Sequence, residues 1–290
     1  MTERLFSFRW DVDHRVCMTD GMPRILEVCR EFDVPNTFFI NMGRSTNLRE
    51  WLGKGVSKSR AKLKDREAVH LIQKTGWPRF TLETVLSRPV GLSFVEDLRA
   101  VQAAGHELGL HGGMDHVVWS RRFSELSNGE LEADVSESRA HFIRHFGEPV
   151  GFSAPGFKTD DRLKSLLDGF GFTYSGDRIG GRPQRARAGE RELRHWTIPV
   201  TLAGPRTIPF LEWHGARGTA ENEIMAGLDE HLGANDLVVL YGHPCYEGVN
   251  RELLRKIFDR VLGAGFRFVT HAEIASRLTA GTLEAASRDD

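Results

Sequence analysis

The chain has 290 residues, of which 40% are hydrophobic, so it is long enough to bury a large core. Its formal net charge of −1 argues against a nucleic-acid partner, and no apolar run approaches the ~20 residues that cross a bilayer. The three cysteines, Cys17, Cys29 and Cys245, form no CxxC pair and are odd in number, which argues against a disulfide framework and for a reducing, cytoplasmic compartment.

Strands and helices alternate from the beginning of the chain. An apolar run from Leu5 to Trp10 predicts a first β-strand that ends in two carboxylates, Asp11 and Asp13. Apolar residues at three- and four-residue spacing predict a helix over residues 19–33, and a short apolar run predicts a second strand at 35–40. A strand, a helix and a strand in succession form a βαβ unit, so these two strands are expected to be parallel.

A basic segment interrupts this alternation between about residues 44 and 90. Residues 44–80 contain ten Lys and Arg but only three Asp and Glu, a net charge of +7, with Trp51 and Trp77 among them. Such a mixture suggests a surface that meets anionic lipid head groups or a phosphate-bearing substrate, and Arg44 is a candidate substrate-binding residue. The alternative is an ordinary solvated helical insertion.

The alternation then resumes and continues to about residue 280. Further strands are predicted at 106–111, 150–154, 172–175, 196–202, 236–241 and 266–269. Further helices are predicted at 93–104, 131–146, 162–170, 222–232, 251–262 and 272–278, and the Gly- and Arg-rich stretch 178–190 is predicted to be a loop. The pattern predicts a single α/β domain over residues 1–280, built on a parallel barrel or a doubly wound sheet, and a polar tail at 281–290.

Two carboxylates and two histidines have the pattern of a metal site. Residues i and i+2 of a strand point to the same side, so Asp11 and Asp13 can face one point, where they would repel each other without a cation or a shared proton. His111, at the end of a predicted strand, and His116 are candidates for further ligands. One carboxylate with two imidazoles is a common set for catalytic zinc or a similar divalent ion. The alternative is that Asp11 caps a turn and that both histidines are ordinary packed or surface residues.

Three motifs carry a resemblance to a known family: Asp11-Val12-Asp13, His111 with His116, and Leu240-Tyr241-Gly242-His243-Pro244. In this order they resemble the polysaccharide deacetylase (NodB-homology) superfamily, and the chain is most similar to its branch of 4-deoxy-4-formamido-L-arabinose-phosphoundecaprenol deformylases. Further matching stretches are Asn41-Met42-Gly43-Arg44, His106-Glu107-Leu108-Gly109-Leu110-His111, Gly147-Glu148-Pro149-Val150, Tyr174-Ser175, Ile198-Pro199-Val200-Thr201-Leu202 and Glu247-Gly248. The resemblance implies an α/β fold of the irregular seven-stranded (β/α) barrel type.

The resemblance also implies a role for each residue of the site. One divalent ion, zinc first and manganese, cobalt or nickel as alternatives, is expected to be held by Asp13, His111 and His116. Asp11 is expected to be the catalytic base that takes a proton from water, with the alternative that it is a second metal ligand. His243 is expected to be the acid that protonates the departing amine, and His271 is the substitute candidate.

The spacing of the two histidines departs from the superfamily pattern. The superfamily usually places its histidine ligands four residues apart, whereas His111 and His116 are five apart. Gly112 and Gly113 permit unusual backbone angles, so a bulge between the histidines could absorb the extra residue. Alternatively, Asp115 is the ligand or orients a histidine.

A second departure concerns the cation beside the base. Many deacetylases carry an arginine, in an Arg-x-Pro-Pro context, that positions the catalytic aspartate. Residues 153–156 of this chain read Ser-Ala-Pro-Gly at that place. Lys158 is then the nearest cation along the sequence that could pair with Asp11, and it is also a candidate substrate-binding residue.

Several other residues are weaker candidates for substrate binding. Asp177 could line a sugar pocket or form a turn, and Trp119 or Trp213 could stack on a sugar ring or pack in the core. Glu247 could orient His243. Three arginines could bind a phosphate or belong to a solvated loop: Arg178, Arg182 and Arg185.

Together these features predict a metal-dependent amidohydrolase that removes an N-formyl or N-acetyl group from an amino sugar. The resemblance favours a 4-formamido-arabinose linked to undecaprenyl phosphate, handled at the inner face of the membrane through a peripheral contact. An N-deacetylase of a polysaccharide or oligosaccharide, or a hydrolase of another C–N bond such as a cyclic imide or ureide, is the alternative within the same fold. A non-catalytic carbohydrate- or lipid-binding relative is the alternative outside enzymes, but it would need neither Asp11 as a base nor His243 as an acid.

Overall fold

The structure is a computed structural model that describes residues 3–46 and 85–286. Most of the predicted basic insertion, residues 47–84, lies outside the described residues, as do the last four residues of the predicted tail. Within the described ranges, no helix combines the length and the apolar character that spanning a bilayer would require.

A curled sheet organised around β1 forms the centre of the fold. Strand β1 (Arg4–Val12) is paired in parallel with β2 (Thr37–Ile40), β8 (Leu237–Gly242) and β9 (Phe266–Phe268). The other strands are β3 (Glu107–His111), β4 (Gly151–Ser153), β5 (Tyr174–Ser175), β6 (Gln184–Ala188) and β7 (Arg191–Thr197). The order across the sheet is β6-β7-β5-β4-β3-β2-β1-β8, with β9 beside β1.

This order confirms the predicted α/β barrel of the NodB-homology type. The seven strands from β7 to β8 are all parallel, and β6 adds an antiparallel edge. A single bridge between Leu202 and Leu240 brings the chain after β7 next to β8. Because parallel strands end at one edge, the residues that follow β1, β3, β5 and β8 meet at the same end of the barrel.

The helices pack outside the sheet and lie close to their predicted positions. They are α1 (Met22–Phe32), α2 (Val95–Ala103), α3 (His116–Arg122), α4 (Asn128–Phe146), α5 (Asp161–Gly169), α6 (Phe210–Arg217), α7 (Glu221–Ala234), α8 (Arg251–Gly263) and α9 (His271–Thr279). A short π-helix, Cys17–Gly21, precedes α1. The short helices α3 and α6 were not predicted, because seven or eight residues give too little periodicity to distinguish a helix from a loop.

The predicted loop at 178–190 is wrong in its second half, where β6 forms a hairpin with β7. Strand β7 also begins at Arg191, five residues before the predicted strand. Arginine stems can cover apolar surface while their charged ends stay near water, and the Arg185 guanidinium lies 3.8 Å from the centre of the Trp196 ring. An arginine-rich edge strand therefore does not show the apolar alternation on which the prediction depended.

The two faces of β1 enter different layers of the protein. Phe6, Phe8 and Trp10 belong to the large apolar cluster between the sheet and the helices. On the other face, Ser7, Arg9 and Asp11 are buried inside the curl of the sheet. An alternating strand therefore supplies apolar packing outside and polar chemistry inside the barrel.

A half-buried carboxyl group joins several elements at the amino ends of the strands. Glu107 accepts hydrogen bonds from the Tyr174 hydroxyl at 2.5 Å, from the Thr37 hydroxyl at 3.0 Å and from the backbone N–H of Ala272 at 2.8 Å. Ala272 lies in the first turn of α9, so this helix is held across the closed end. The opposite end of the barrel, where the strands terminate, is left for the functional site.

Candidate active site

An arginine on β1 holds the first aspartate of the DVD motif. Arg9 donates from Nε to Asp11 Oδ1 and from Nη2 to Asp11 Oδ2, both at 2.8 Å. The side chain of Arg9 is completely buried and that of Asp11 is 6% exposed. The prediction that Lys158 supplies this cation is wrong, since Lys158 is exposed and the Asp11 carboxylate is occupied by Arg9. Arg9 precedes Asp11 by two residues, and residues two apart on a strand point to the same side, so the strand itself places Arg9 beside Asp11.

Arg9 is fixed from several sides. Its Nη1 donates to the carbonyl oxygen of Gly176, and its Nη2 also donates to the hydroxyl of Ser153. Three aromatic rings surround the guanidinium carbon, with centres 5.0, 4.9 and 5.7 Å away: Phe39, Phe157 and Tyr241. The position of the Asp11 carboxylate is therefore set by a rigid neighbour.

The charge on Asp11 depends on this pairing. Burial alone would raise the pKa of Asp11, but the positive charge of Arg9, helped by His111, outweighs burial and lowers the pKa below the ordinary aspartate value. Asp11 is therefore ionised near neutral pH and able to accept a proton.

Asp13, two residues further along, faces the two predicted histidines. His111 Nε2 lies 2.9 Å and His116 Nε2 3.3 Å from Asp13 Oδ1, and the three candidate ligand atoms lie within 4.8 Å of one another. Asp13 Oδ1 and His116 Nε2 are buried, and beyond the contacts within this group of three they have no hydrogen-bond partner among the described residues. One carboxylate oxygen and two imidazole nitrogens that converge in this way fit a divalent transition-metal ion.

The chain between the two histidines makes room for the five-residue spacing. Gly112 has a φ of +68°, a backbone conformation that side chains other than glycine rarely adopt. A Cβ on Gly113 would lie 1.7 Å from Asp134 Oδ2, and the next backbone N–H, from Met114, donates to Asp134 Oδ1 at 2.9 Å. The loop therefore turns closely around the Asp134 carboxylate before His116 begins α3.

Asp115 has a different position from the two histidines. It is the N-cap of α3, and its Oδ1 accepts the backbone N–H of Val118 at 3.2 Å. Its Oδ2 lies 3.9 Å from Arg44 Nε. The residue that the structure brings to Asp13 is thus His116, which favours the bulge over Asp115 as the ligand.

His243 stands on the other side of Asp13. Its Nε2 lies 3.5 Å from Asp13 Oδ2, and its Nδ1 lies 3.3 Å from Glu212 Oε2 on α6. Glu247 Oε2 accepts the backbone N–H of His243 at 2.7 Å. Two carboxylates therefore bracket this histidine, of which sequence reasoning had identified only Glu247.

His271, the substitute acid, lies elsewhere. It is completely buried inside the barrel, and its Nδ1 is 2.9 Å from the Ser7 hydroxyl. Burial lowers the pKa of His271 to about 3, with Arg9 acting in the same direction, so the ring is neutral. His271 does not join the group around Asp13.

The weaker candidates divide between the core and the rim of the site. The interpretation of Trp119 as a sugar-stacking residue is wrong, because Trp119 is fully buried against Phe152 and donates through Nε1 to Asp134. Arg44 lies beside the loop between His111 and His116. Its backbone N–H donates to Met114 O at 2.9 Å, and its side chain is half-exposed. Asp177 follows β5 and is buried at the same end of the barrel.

Comparison with known proteins points to one family. A profile described as polysaccharide deacetylase matches residues 9–175. A relative from Shewanella sediminis (strain HAW-EB3), named "Probable 4-deoxy-4-formamido-L-arabinose-phosphoundecaprenol deformylase ArnD", is 26% identical over 202 residues. That match spans 68% of this chain but only 62% of the relative, which is less than two thirds of its length.

Solved structures share the fold over nearly the whole chain. A Mycobacterium smegmatis protein assigned as a polysaccharide deacetylase has a TM-score of 0.63 at 18% identity, with 98% of this chain and 92% of that protein covered. A family 4 acetyl xylan esterase from Clostridium thermocellum, solved with a cobalt ion, has a TM-score of 0.52 at 15% identity, with coverage of 96% and 92%. At these identities the likeness concerns the fold.

Proposed function

The chain belongs to the polysaccharide deacetylase family, and we propose that it is a metal-dependent amidohydrolase that removes a formyl or acetyl group from an amino sugar. The observation that carries this proposal is the arrangement around Asp13. Its Oδ1 faces two imidazoles, its Oδ2 faces a third, and the ionised Asp11 lies two residues earlier, at the end of β1. Such a set provides ligands for an ion, a base and an acid at the end of the barrel where the strands terminate.

The proposed metal ligands are Asp13 Oδ1, His111 Nε2 and His116 Nε2. When bound there, a divalent ion would polarise the amide carbonyl and lower the pKa of a water molecule. The imidazole-rich set suits zinc first, and manganese, cobalt or nickel are alternatives. Burial would raise the pKa of Asp13, but His116 and His111 outweigh it and keep the pKa well below the ordinary value, so Asp13 is ionised and can act as a ligand.

Asp11 is the proposed base. Its carboxylate takes a proton from the attacking water, and its hydrogen bonds to Arg9 keep it ionised and oriented until then. Because Arg9 occupies both oxygens of Asp11, this carboxylate is better placed as a proton acceptor than as a second metal ligand.

His243 is the proposed acid. The amide nitrogen becomes a good leaving group only after protonation, and His243 Nε2, on the far side of Asp13, can supply that proton. Glu212 lies against Nδ1, where a carboxylate fixes the orientation of the ring and stabilises the imidazolium form.

The proposed substrate is a 4-formamido-arabinose linked to undecaprenyl phosphate, reached from the cytoplasm through a peripheral membrane contact. The support is the name of the Shewanella relative and the net charge of +7 over residues 44–80, which suits a phosphate or an anionic lipid surface. An N-acetylated polysaccharide or oligosaccharide is the second candidate, favoured by the family match over residues 9–175.

Matched substrates decide between these possibilities. The metal-loaded protein is incubated with N-formyl and N-acetyl derivatives of the same amino sugars, and released formate and acetate are measured. Release of formate in preference to acetate supports the deformylase, and the reverse supports the deacetylase. The Asp11→Asn variant is the control, because it keeps the ion ligands and loses the base. No release of either acid by the wild-type protein would contradict the proposed activity.

A further inference from the structure

A buried carboxyl oxygen at the end of β5 has no partner among the described residues. Asp177 is 9% exposed, and its Oδ1 accepts the backbone N–H of Ala154 at 2.6 Å. The other oxygen, Oδ2, is buried and makes no hydrogen bond. Leaving a buried acceptor unsatisfied costs about 1–3 kcal/mol, more when it is charged, so such an atom in a native site calls for a ligand, an ion or a water molecule.

The backbone around Asp177 is fixed by the same arginine that holds the base. Arg9 Nη1 donates to the carbonyl oxygen of Gly176, and a Cβ on Gly176 would lie 2.7 Å from that nitrogen. Only glycine therefore allows this close approach, and the carboxyl group of the next residue is directed towards Ala154, at the end of β4. One oxygen of Asp177 is anchored while the other remains available in a defined position.

Arg9 itself does not satisfy Oδ2. Its hydrogen bonds go to the two oxygens of Asp11, to Gly176 O and to the Ser153 hydroxyl, which uses four of the five N–H groups of a guanidinium. Burial raises the pKa of Asp177 to about 6, although the charges of Arg9 and His111 act to lower it, so the carboxyl group is mostly ionised at pH 7 and above. Asp177 therefore belongs to the electrostatic environment of the base, without being bonded to it.

The acceptor character of Oδ2 selects the chemistry of the ligand. An ionised carboxylate oxygen accepts hydrogen bonds and donates none, so an unprotonated phosphate oxygen is not a partner for it. The partner that fits is a hydrogen-bond donor, and the acyl carbonyl of the substrate is not one. The donors of an amino sugar are its hydroxyl groups and its amide N–H.

We infer that Asp177 is a specificity-determining residue, whose Oδ2 accepts a hydrogen bond from a hydroxyl or N–H group of the bound amino sugar. The inference rests on the proposed function and deepens it, because it separates recognition of the sugar from recognition of the acyl group. It assigns Oδ2 of Asp177 to the sugar and not to the phosphate of a lipid-linked substrate.

The test combines one substitution at Asp177 with a series of substrate analogues that each lack one hydrogen-bond donor. The parent substrate is the methyl glycoside of 4-formamido-4-deoxy-L-arabinopyranose. Its analogues are the 2-deoxy sugar, the 3-deoxy sugar and the 4-O-formyl ester, each of which lacks one donor. We measure kcat/KM for the wild-type protein and for Asp177→Asn, which keeps an oxygen for Ala154 and replaces the free acceptor with a donor.

The inference predicts that kcat/KM of the wild-type protein is about 10- to 100-fold lower for one of the analogues than for the parent substrate. This is the range expected for the loss of a hydrogen bond to a charged group. Asp177→Asn loses a similar factor on the parent and does not distinguish the parent from that analogue. The matched control is Asp168→Asn, which changes a largely buried carboxylate on α5 that bonds Arg194 outside the barrel. This variant is expected to keep the wild-type preference among the four substrates.

Measurements of binding test this inference independently of the proposed reaction. Dissociation constants for the four compounds are measured by calorimetry in the Asp11→Asn background, with and without Asp177→Asn. Tight binding with the same one-donor dependence but no formate release by the wild-type protein would contradict the reaction and support the role of Asp177. Equal affinity for all four compounds, or no binding of any, would overturn the role of Asp177. If Asp177→Asn does not fold, equal treatment of the four compounds by the wild-type protein overturns it in the same way.

Discussion

Replacing Arg9 with methionine is expected to disable the base while leaving every proposed metal ligand and the proposed acid in place. Arg9 is fully buried and is joined to Asp11 by two hydrogen bonds of 2.8 Å. Methionine fills much of the same space but leaves a buried carboxylate without its cation. Removing one partner of a buried ion pair typically costs about 3–5 kcal/mol of folding free energy.

The same change is expected to shift the pH dependence of catalysis in a defined direction. In the wild-type protein Arg9 outweighs burial and lowers the pKa of Asp11, so without Arg9 burial dominates and the pKa rises. Only the ionised form of Asp11 accepts a proton. Below the new pKa, kcat/KM therefore falls by a factor of about ten for each unit by which the pH lies under that pKa, and activity returns as the pH is raised.

Two measurements check this reasoning. The pH profile of kcat/KM is recorded for the metal-loaded wild-type protein and Arg9→Met, and the free energy of unfolding is obtained from urea titrations. The control is Arg251→Met, because Arg251 and Glu27 form an exposed pair, worth at most ~1 kcal/mol and remote from the site. An Arg9→Met variant with the wild-type acidic limb and the wild-type stability would refute the argument.

Three further predictions concern the ion, the acid and the loop. His116→Ala is expected to lose the divalent ion, as measured by elemental mass spectrometry. Asp115→Asn is expected to keep the ion and to lower the free energy of unfolding by at most ~1 kcal/mol, because it changes only the N-cap of α3. Loss of the ion from Asp115→Asn would favour Asp115 as the ligand. Glu212→Gln is expected to lower kcat about 10- to 100-fold with little change in KM, since it alters only the group that orients His243, and an unchanged kcat in steady-state assays would contradict that role. Gly113→Ala is expected to weaken metal affinity about 10- to 100-fold, because its Cβ would meet Asp134 Oδ2 at 1.7 Å. Gly129→Ala, whose Cβ meets nothing within 4 Å, is the matched control, and equal affinity in the two variants would refute the steric argument.

The two-residue periodicity of strands, which relates Asp11 to Asp13, also predicts the position of Arg9. Arg9 and Asp11 occupy positions i and i+2 of β1, so both had to point into the barrel, and Asp13 follows directly after the strand ends. The family pattern points instead to residues 153–158, where the nearest cation is Lys158. The structure shows that β1 carries its own cation and that Ser153 accepts a hydrogen bond from it.

Other features had no signal in a single sequence. Glu212 reaches His243 only because α6 packs beside β8, and nothing in the residues around position 212 indicates that contact. The environment of Trp119 could not be decided in advance, because a tryptophan close to the two histidines looks the same in sequence whether it faces a sugar or the core. The strands and longer helices were predictable because their apolar spacing reflects burial directly, whereas a contact between distant side chains reflects the tertiary fold.

The position of β1 in the sheet has a consequence for how the protein is made. Leu5 pairs with Leu237 and Arg4 with Phe266, so β1 leaves the ribosome more than 200 residues before two of the strands with which it pairs. At ~5–20 residues per second, the delay is on the order of 10–50 s. Throughout that time one edge of an apolar strand is open to pairing with other nascent chains. Slow folding and a dependence on chaperones during synthesis are therefore expected, and a truncation that removes β8 should yield aggregated chains rather than a partially active fragment.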